Sequence, residues 1–294
     1  MRLDPLVAPV FVVLWSTGFI GAKLGLPHAE PMTFLAIRFA AVAALLALWV
    51  QAAGAPWPTW REVRDQALIG ALLHFYYLGG VFVGISLGVE AGTTALIVGL
   101  QPVLTALIAY RFLGERMVAV QWIGIAAGLA GVILVVLRKM DAGLGDPLGV
   151  FFCVMGLLGI SVGSILQKSR AADTPMRGGN TVQFATASVC CFLCALIFED
   201  RTVEWAPAFI IALGWSILPL SIGAITLLYV LIKRGAASNV ASLFFLVPPC
   251  TALFAWALFD EVLGPVEIFG MALAAFGVLL VNRPGIVSAL IKAR

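Results

Sequence analysis

The chain has 294 residues, 62% of them hydrophobic and 11% charged, with a net charge of +3 and a mean hydropathy of +1.07. Soluble domains run at about 45–50% apolar and about 25% charged residues, so a water-soluble globule is excluded. A disordered chain, which needs low hydrophobicity and high charge, is excluded with it. The charge is also too small and too scattered to suggest a nucleic-acid surface.

At about 20 residues per membrane-spanning helix, the length admits roughly ten to twelve spans. Apolar runs separated by charged or Gly/Pro-containing stretches predict ten, at 6–26, 31–53, 66–86, 92–112, 118–138, 147–168, 180–198, 206–231, 238–259 and 264–282. The fold class is therefore all-α and polytopic, since no strand-length alternation of the barrel type is present. The run from Leu6 to Leu26 is too long for the h-region of a signal peptide and is read as a retained first span. Lys and Arg fall 13 to 3 between the two sets of loops, with Arg138, Lys139 and Arg201 on the poorer side. Both termini are expected on the basic, cytoplasmic side. Cys153, Cys190, Cys191, Cys194 and Cys250 lie in apolar runs and read as small buried hydrophobes. Neither a disulfide framework nor a metal site is expected, and no motif calls for a cofactor.

Residues 88–136 and 234–282 superpose with a shift of 146, with 16 of 49 positions identical. The matches include Pro102/Pro248, Thr105/Thr251, Glu115/Glu261, Gly124/Gly270 and Gly131/Gly277. Five spans per copy is an odd number, so the second copy enters the membrane upside down. Inverted repeats around a midplane site are a recurring design of secondary transporters. The expected organisation is a first five-helix repeat at 1–140, an inverted second at 146–282, and a cytoplasmic tail at 283–294.

The stretch FLGERMVAVQWIGIAAGLAGVILV and its weaker copy LFDEVLGPVEIFGMALAAFGVLLV resemble the paired signature of the drug/metabolite transporter superfamily, EamA type. WSTGFIGAKLGL resembles that family's first helix. Within the superfamily the chain looks most like the bacterial exporters of aromatic amino acids (the YddG type). The resemblance implies ten helices, a central cavity between the halves, and export across the inner membrane by alternating access. The cargo would be aromatic or other neutral amino acids and related small metabolites. A nucleotide-sugar or other metabolite or drug transporter of the same superfamily is the alternative. The expected partners are a small-molecule substrate and the lipid bilayer, with a monomer or, alternatively, a dimer.

Several residues invite a functional reading beside a structural one. Pro102 and Pro248 sit mid-span, where each removes a backbone hydrogen bond; they are hinges or static kinks. Glu115 and Glu261 precede the fifth and tenth spans. There a carboxylate can accept from the N–H groups at the start of the next helix, or it can touch substrate. Lys23 and Arg38 fall within spans, where a charge costs about 2.5–3.5 kcal/mol. They could attract a substrate carboxylate, or Lys23 could snorkel and Arg38 pair with Glu30 or Glu90. Candidates for the cavity wall are Trp15, Ser16, His74, Tyr77, Gln101, Ser164, Tyr229, Asn239 and Ser242, which offer stacking surface and hydrogen-bonding groups. The same residue types also bond between helices. All fifteen acidic residues lie in loops or near helix ends, which argues against a mid-membrane carboxylate relay. Glycines four apart, such as Gly124/Gly128 and Gly159/Gly163, read first as close intramolecular packing and second as a dimer seam. Two G-x-S-x-G matches, around Ser86 and Ser161, leave an intramembrane serine hydrolase with Ser161 as nucleophile and His74 as base as a remote alternative.

Overall fold

A computed structural model describes residues 6–112, 116–143, 145–171, 174–224, 227, 231 and 243–282. Among them the secondary structure is helical throughout, apart from an isolated bridge between Ala29 and Val203. In chain order the helices are α1 (Val7–Gly25), α2 (Pro31–Ala52), α3 (Trp60–Gly70), α4 (Tyr77–Ser86), α5 (Ala91–Val98), α6 (Gln101–Phe112), α7 (Ala119–Asp141), α8 (Pro147–Arg170), α9 (Met176–Phe198), α10 (Pro207–Trp215), α11 (Val247–Phe259) and α12 (Pro265–Asn282). Two π-helical segments, Ala71–Tyr76 and Ser216–Ala224, continue α3 and α10, and a 3-10 turn at Phe244–Leu246 leads into α11. Joined end to end, the described residues give nine helices long and apolar enough to cross a bilayer, with Val247–Phe259 as a shorter apolar helix. The protein is a polytopic membrane protein.

The helix boundaries follow local chemistry. The third span begins at Trp60 rather than at 66, because Thr59 and Glu62 form a capping box. Both the Thr59 amide and hydroxyl donate to the Glu62 carboxylate, at 2.7 and 2.6 Å. Its first turns are polar, which is why hydropathy alone misses them. Pro102 and Pro248 each occupy the second position of a helix, α6 and α11, where the missing N–H has no helical acceptor to lose. The fourth span is accordingly broken at Gly99–Leu100 between α5 and α6. The repeat-equivalent position in the second copy is the 3-10 turn before α11.

The chain packs as two compact units. One comprises residues 1–20, 88–150 and 224–294; the other comprises 21–87 and 151–223. The sequence repeat is thus not the packing unit, for each unit takes repeat-equivalent helices from both copies. In the first unit the closest pair is α7 with α12, which run antiparallel. A Cβ on Gly124 would lie 2.7 Å from the Gly277 carbonyl oxygen, and one on Gly131 would lie 2.6 Å from the Ala274 nitrogen and against the Gly270 carbonyl. Only glycine permits so close an approach. The contacts are reciprocal under the shift of 146: Gly124 meets Gly277 as Gly131 meets Gly270. In the second unit α2 lies antiparallel to α9, and Glu199, the residue just after α9, accepts from the Met32 and Thr33 amides at 2.7 Å each. Gly80 packs there against the backbone of Phe152 and Gly156, and Gly159 against Leu72 and Tyr77. These glycine faces are filled within their own units.

Candidate substrate-recognition site

In the first unit, Trp15 is half-buried and packs edge-on to Phe244 at 5.2 Å and beside Phe11 at 5.4 Å. Ser16 is fully buried. Its hydroxyl donates to the Val12 carbonyl (2.8 Å) and, more weakly, to the Val247 carbonyl (3.3 Å), while the Thr251 hydroxyl donates to the Ser16 carbonyl. Ser16 therefore ties α1 to the turn of helix that carries Pro248. Gln101 reaches the Thr105 hydroxyl one turn along its own helix.

The same unit holds a buried ionic cluster. Lys139, 5% exposed at the end of α7, donates to Glu90 at 2.7 Å and to the Val262 carbonyl at 2.8 Å, with Glu267 at 4.0 Å. Beside it Glu261 accepts from the Ala91 amide (2.9 Å) and the Gly92 amide (3.2 Å). This corrects the expectation that Glu261 serves the helix that follows it. The carboxylate caps α5, a helix of the other repeat copy, because α11 ends beside the start of α5. Glu115, its repeat mate, lies outside the described residues, as do Tyr229, Asn239 and Ser242.

In the second unit a polar group gathers where the two π-helical segments meet α2 and α9. π-Helical turns are rare and occur often at functional sites, and these two are repeat-equivalent: 71–76 shifted by 146 falls within 216–224. His74, on the first, stacks on Phe184 with ring centroids 4.2 Å apart, and Phe39 lies at 5.8 Å. Tyr77 is buried one residue beyond the same segment. Arg38 lies on α2 and is 6% exposed. Its Nη2 donates to the Ser221 hydroxyl at 3.2 Å, and its guanidinium lies 5.6 Å from the Phe39 ring centroid. Ser221 in turn donates to the Ser216 carbonyl at 2.9 Å. A buried amide triad adjoins: Gln183 donates to Gln66 and, at 2.8 Å, to Gln167.

Arg38 does not pair with Glu30 or Glu90. Glu30 accepts from the Arg201 amide, and Glu90 is bound to Lys139. Among the described residues the Arg38 Nε has no hydrogen-bond partner, and neither has the Ser216 hydroxyl. Sequence reading placed Arg38 in the membrane but had no signal for Ser216, Ser221 or Gln183, which are ordinary residues in apolar runs. Pro219, inside the second π-helical segment, was the one local hint of irregular backbone there.

Ser164 donates to the Ile160 carbonyl in its own helix, and Ser161, fully buried, donates to Leu157 in the same way. Ser161 thus sits mid-helix, not on the sharp strand-to-helix turn a nucleophile elbow requires. Ser86, the last residue of α4, likewise bonds back to Val83. The five cysteines are free thiols, and among the described residues no three His, Cys, Asp or Glu side chains gather as a metal site.

Comparison with known proteins agrees with this architecture. A probable terminal-alkyne amino-acid exporter of Streptantibioticus cattleyicolor is 28% identical over 92% of this chain and 91% of its own. An uncharacterized inner membrane transporter, YedA, of Escherichia coli strain K12 is 26% identical over 96% and 92%. A probable amino-acid metabolite efflux pump of the same strain is 23% identical over 95% and 94%. One solved crystal structure shares the fold, with a TM-score of 0.65 at 20% identity, covering 98% of each chain. The EamA-like transporter family matches twice, at residues 5–137 and 147–283. With both matches spanning nearly the whole sequence, the chain is a membrane transporter and belongs to the EamA-like transporter family.

Proposed function

We propose that the protein is a secondary transporter that exports aromatic or other neutral amino acids, and related small metabolites, across the bacterial inner membrane by alternating access. The observation that carries this reading is the antiparallel, reciprocal packing of α7 on α12. Helices related by the repeat run in opposite directions, as they must if residues 146–282 are an upside-down copy of residues 1–140. Two copies of opposite orientation can exchange conformations, and each exchange moves an opening from one membrane face to the other. The breaks at Gly99–Leu100 and before Val247 are repeat-equivalent and serve as hinges, with Pro102 and Pro248 fixing their positions.

The cargo class draws support from two sources. Two relatives are named for amino-acid export or efflux, and all fifteen acidic residues lie in loops or near helix ends by sequence, away from the middle of the spans where a strongly cationic substrate would need them. Trp15, Ser16, His74, Tyr77, Gln101 and Ser164 remain the wall candidates. Both termini, with the tail at 283–294, face the cytoplasm on the basic loop bias. The functional form is a monomer, since the glycine faces that could seam a dimer are filled from within.

Reconstitution in liposomes tests the proposal. Labelled L-phenylalanine, L-leucine and a wider amino-acid panel should accumulate in a protein-dependent way, with and without an imposed pH gradient. Uptake of nucleotide sugars or sugar phosphates with no amino-acid uptake would overturn the cargo assignment.

A further inference from the structure

We infer that Arg38, with the Ser216 and Ser221 hydroxyls, forms a carboxylate-binding site inside the second unit. The inference rests on the amino-acid reading for its cargo and deepens it by naming the group that holds the acid end of the substrate.

A cation buried in a span carries a cost. A guanidinium stays charged under all ordinary conditions, and placing one mid-span costs about 2.5–3.5 kcal/mol on insertion scales. A structural arginine offsets that cost by binding carboxylates or several carbonyls. Arg201 shows the structural pattern: its Nη1 donates to the Ala195, Leu196 and Glu199 carbonyls at the end of α9. Arg38 shows the opposite. Among the described residues it has one neutral hydroxyl partner, an aromatic ring nearby and an unpartnered Nε. No acidic side chain among the described residues pairs with it.

The unsatisfied groups belong together. Arg38 Nε and Ser216 Oγ are two of the three buried side-chain polar atoms without a partner among the described residues. Ser221 joins the two residues, its hydroxyl receiving from Arg38 Nη2 and donating to the Ser216 main-chain carbonyl. A carboxylate is acceptor-only and planar, and it suits an edge of guanidinium N–H groups with a hydroxyl donor beside it. It would neutralise the buried charge and satisfy both orphaned donors in one step. The π-helical segment Ser216–Ala224 supplies both serines, so the irregular backbone has a role in aiming them. Phe39 lies beside the guanidinium, with His74 next to Phe39, so a carboxylate carrying an apolar or aromatic body fits better than a small inorganic anion.

The test uses the full chain purified in detergent, with thermal unfolding followed in millimolar L-phenylalanine, L-leucine, benzoate, L-phenylalaninamide and sodium phosphate. The carboxylates should stabilise the wild type, and the amide and phosphate should not. Arg38→Gln should weaken apparent L-phenylalanine affinity about tenfold or more, the loss of charge-assisted hydrogen bonds. Arg38→Lys should recover part of it, and Ser221→Ala should weaken it less than Arg38→Gln does. Should Arg38→Gln fail to fold, Arg38→Lys and Ser221→Ala still decide, through the ratio of carboxylate to amide affinity. Absence of carboxylate stabilisation in the wild type, equal stabilisation by phosphate, or an unchanged ratio in the variants would overturn the site. The transport reading fails separately: carboxylates that bind through Arg38 but are not carried in liposomes would refute export and leave the site standing.

Discussion

The two compact units bury cations in opposite ways. In the first, Lys139 is surrounded: Glu90 and a carbonyl bind it directly, Glu267 stands 4.0 Å away, and Glu261 beside them spends both oxygens on backbone amides. In the second, Arg38 has, among the described residues, a single hydroxyl partner and an unpartnered Nε. Both side chains are more than nine-tenths buried. The first arrangement pairs its cation with carboxylates and holds helix ends together; in the second no described carboxylate pairs with the cation. The contrast separates a charge kept for the fold from a charge kept for a ligand.

Removing each cation should sharpen that contrast. Lys139→Met removes the cation that binds Glu90 at 2.7 Å and stands 4.0 Å from Glu267. Breaking a buried pair from one side costs about 3–5 kcal/mol, so thermal unfolding in detergent should show a large loss. Adding Glu90→Gln should recover part of it. A Lys139→Met protein as stable as wild type would show that the cluster does no structural work.

An intermediate effect is expected where the first unit is tightest. Gly131→Leu would push a side chain into the Gly270 carbonyl and Ala274 backbone. Overpacking of this kind costs about 1–3 kcal/mol or more, and it should lower both the unfolding temperature and the yield of monodisperse protein. Gly143→Leu meets no neighbouring atom, though its positive φ adds modest strain, and should cost less. Equal losses at the two sites would contradict close packing of α7 on α12.

The smallest stability effect belongs to Arg38→Met. No carboxylate partner is abandoned, and an apolar replacement for a buried charge is often neutral or stabilising. Unfolding temperature should stay level or rise slightly while L-phenylalanine stabilisation disappears. A loss comparable to that of Lys139→Met would make Arg38 a structural residue and erase the difference between the units.

Much of the architecture was legible because a bilayer leaves few choices. Runs such as 31–53 and 147–168 can only be helices, and α2 and α8 match them within two residues. The proline positions and the matched glycines were legible as a repeat, since Pro and Gly act through the backbone and leave a mark whatever packs around them. Partnerships were not legible. Glu261 reads as a helix cap from sequence, but its helix lies 170 residues away, chosen by the antiparallel pairing of α5 and α11. Glu30 and Glu90 looked available to Arg38 until Arg201 and Lys139 claimed them. The π-helical turns carry almost no sequence signal, because spans that are apolar on nearly every side have no apolar face whose change of phase would mark the extra residue. Ser216 and Ser221 consequently stayed invisible until their backbone was placed.

The central claim is that repeat-equivalent positions face opposite sides of the membrane, and one labelling experiment reaches it directly. In a background with Cys153, Cys190, Cys191, Cys194 and Cys250 replaced by alanine, single cysteines are placed at Arg116 and at its repeat mate Val262. Both sites are solvent-exposed. A membrane-impermeant maleimide applied to intact spheroplasts should label position 262 at once and position 116 only after lysis. Labelling of both positions from the same face would contradict the inverted repeat and the transport mechanism built on it.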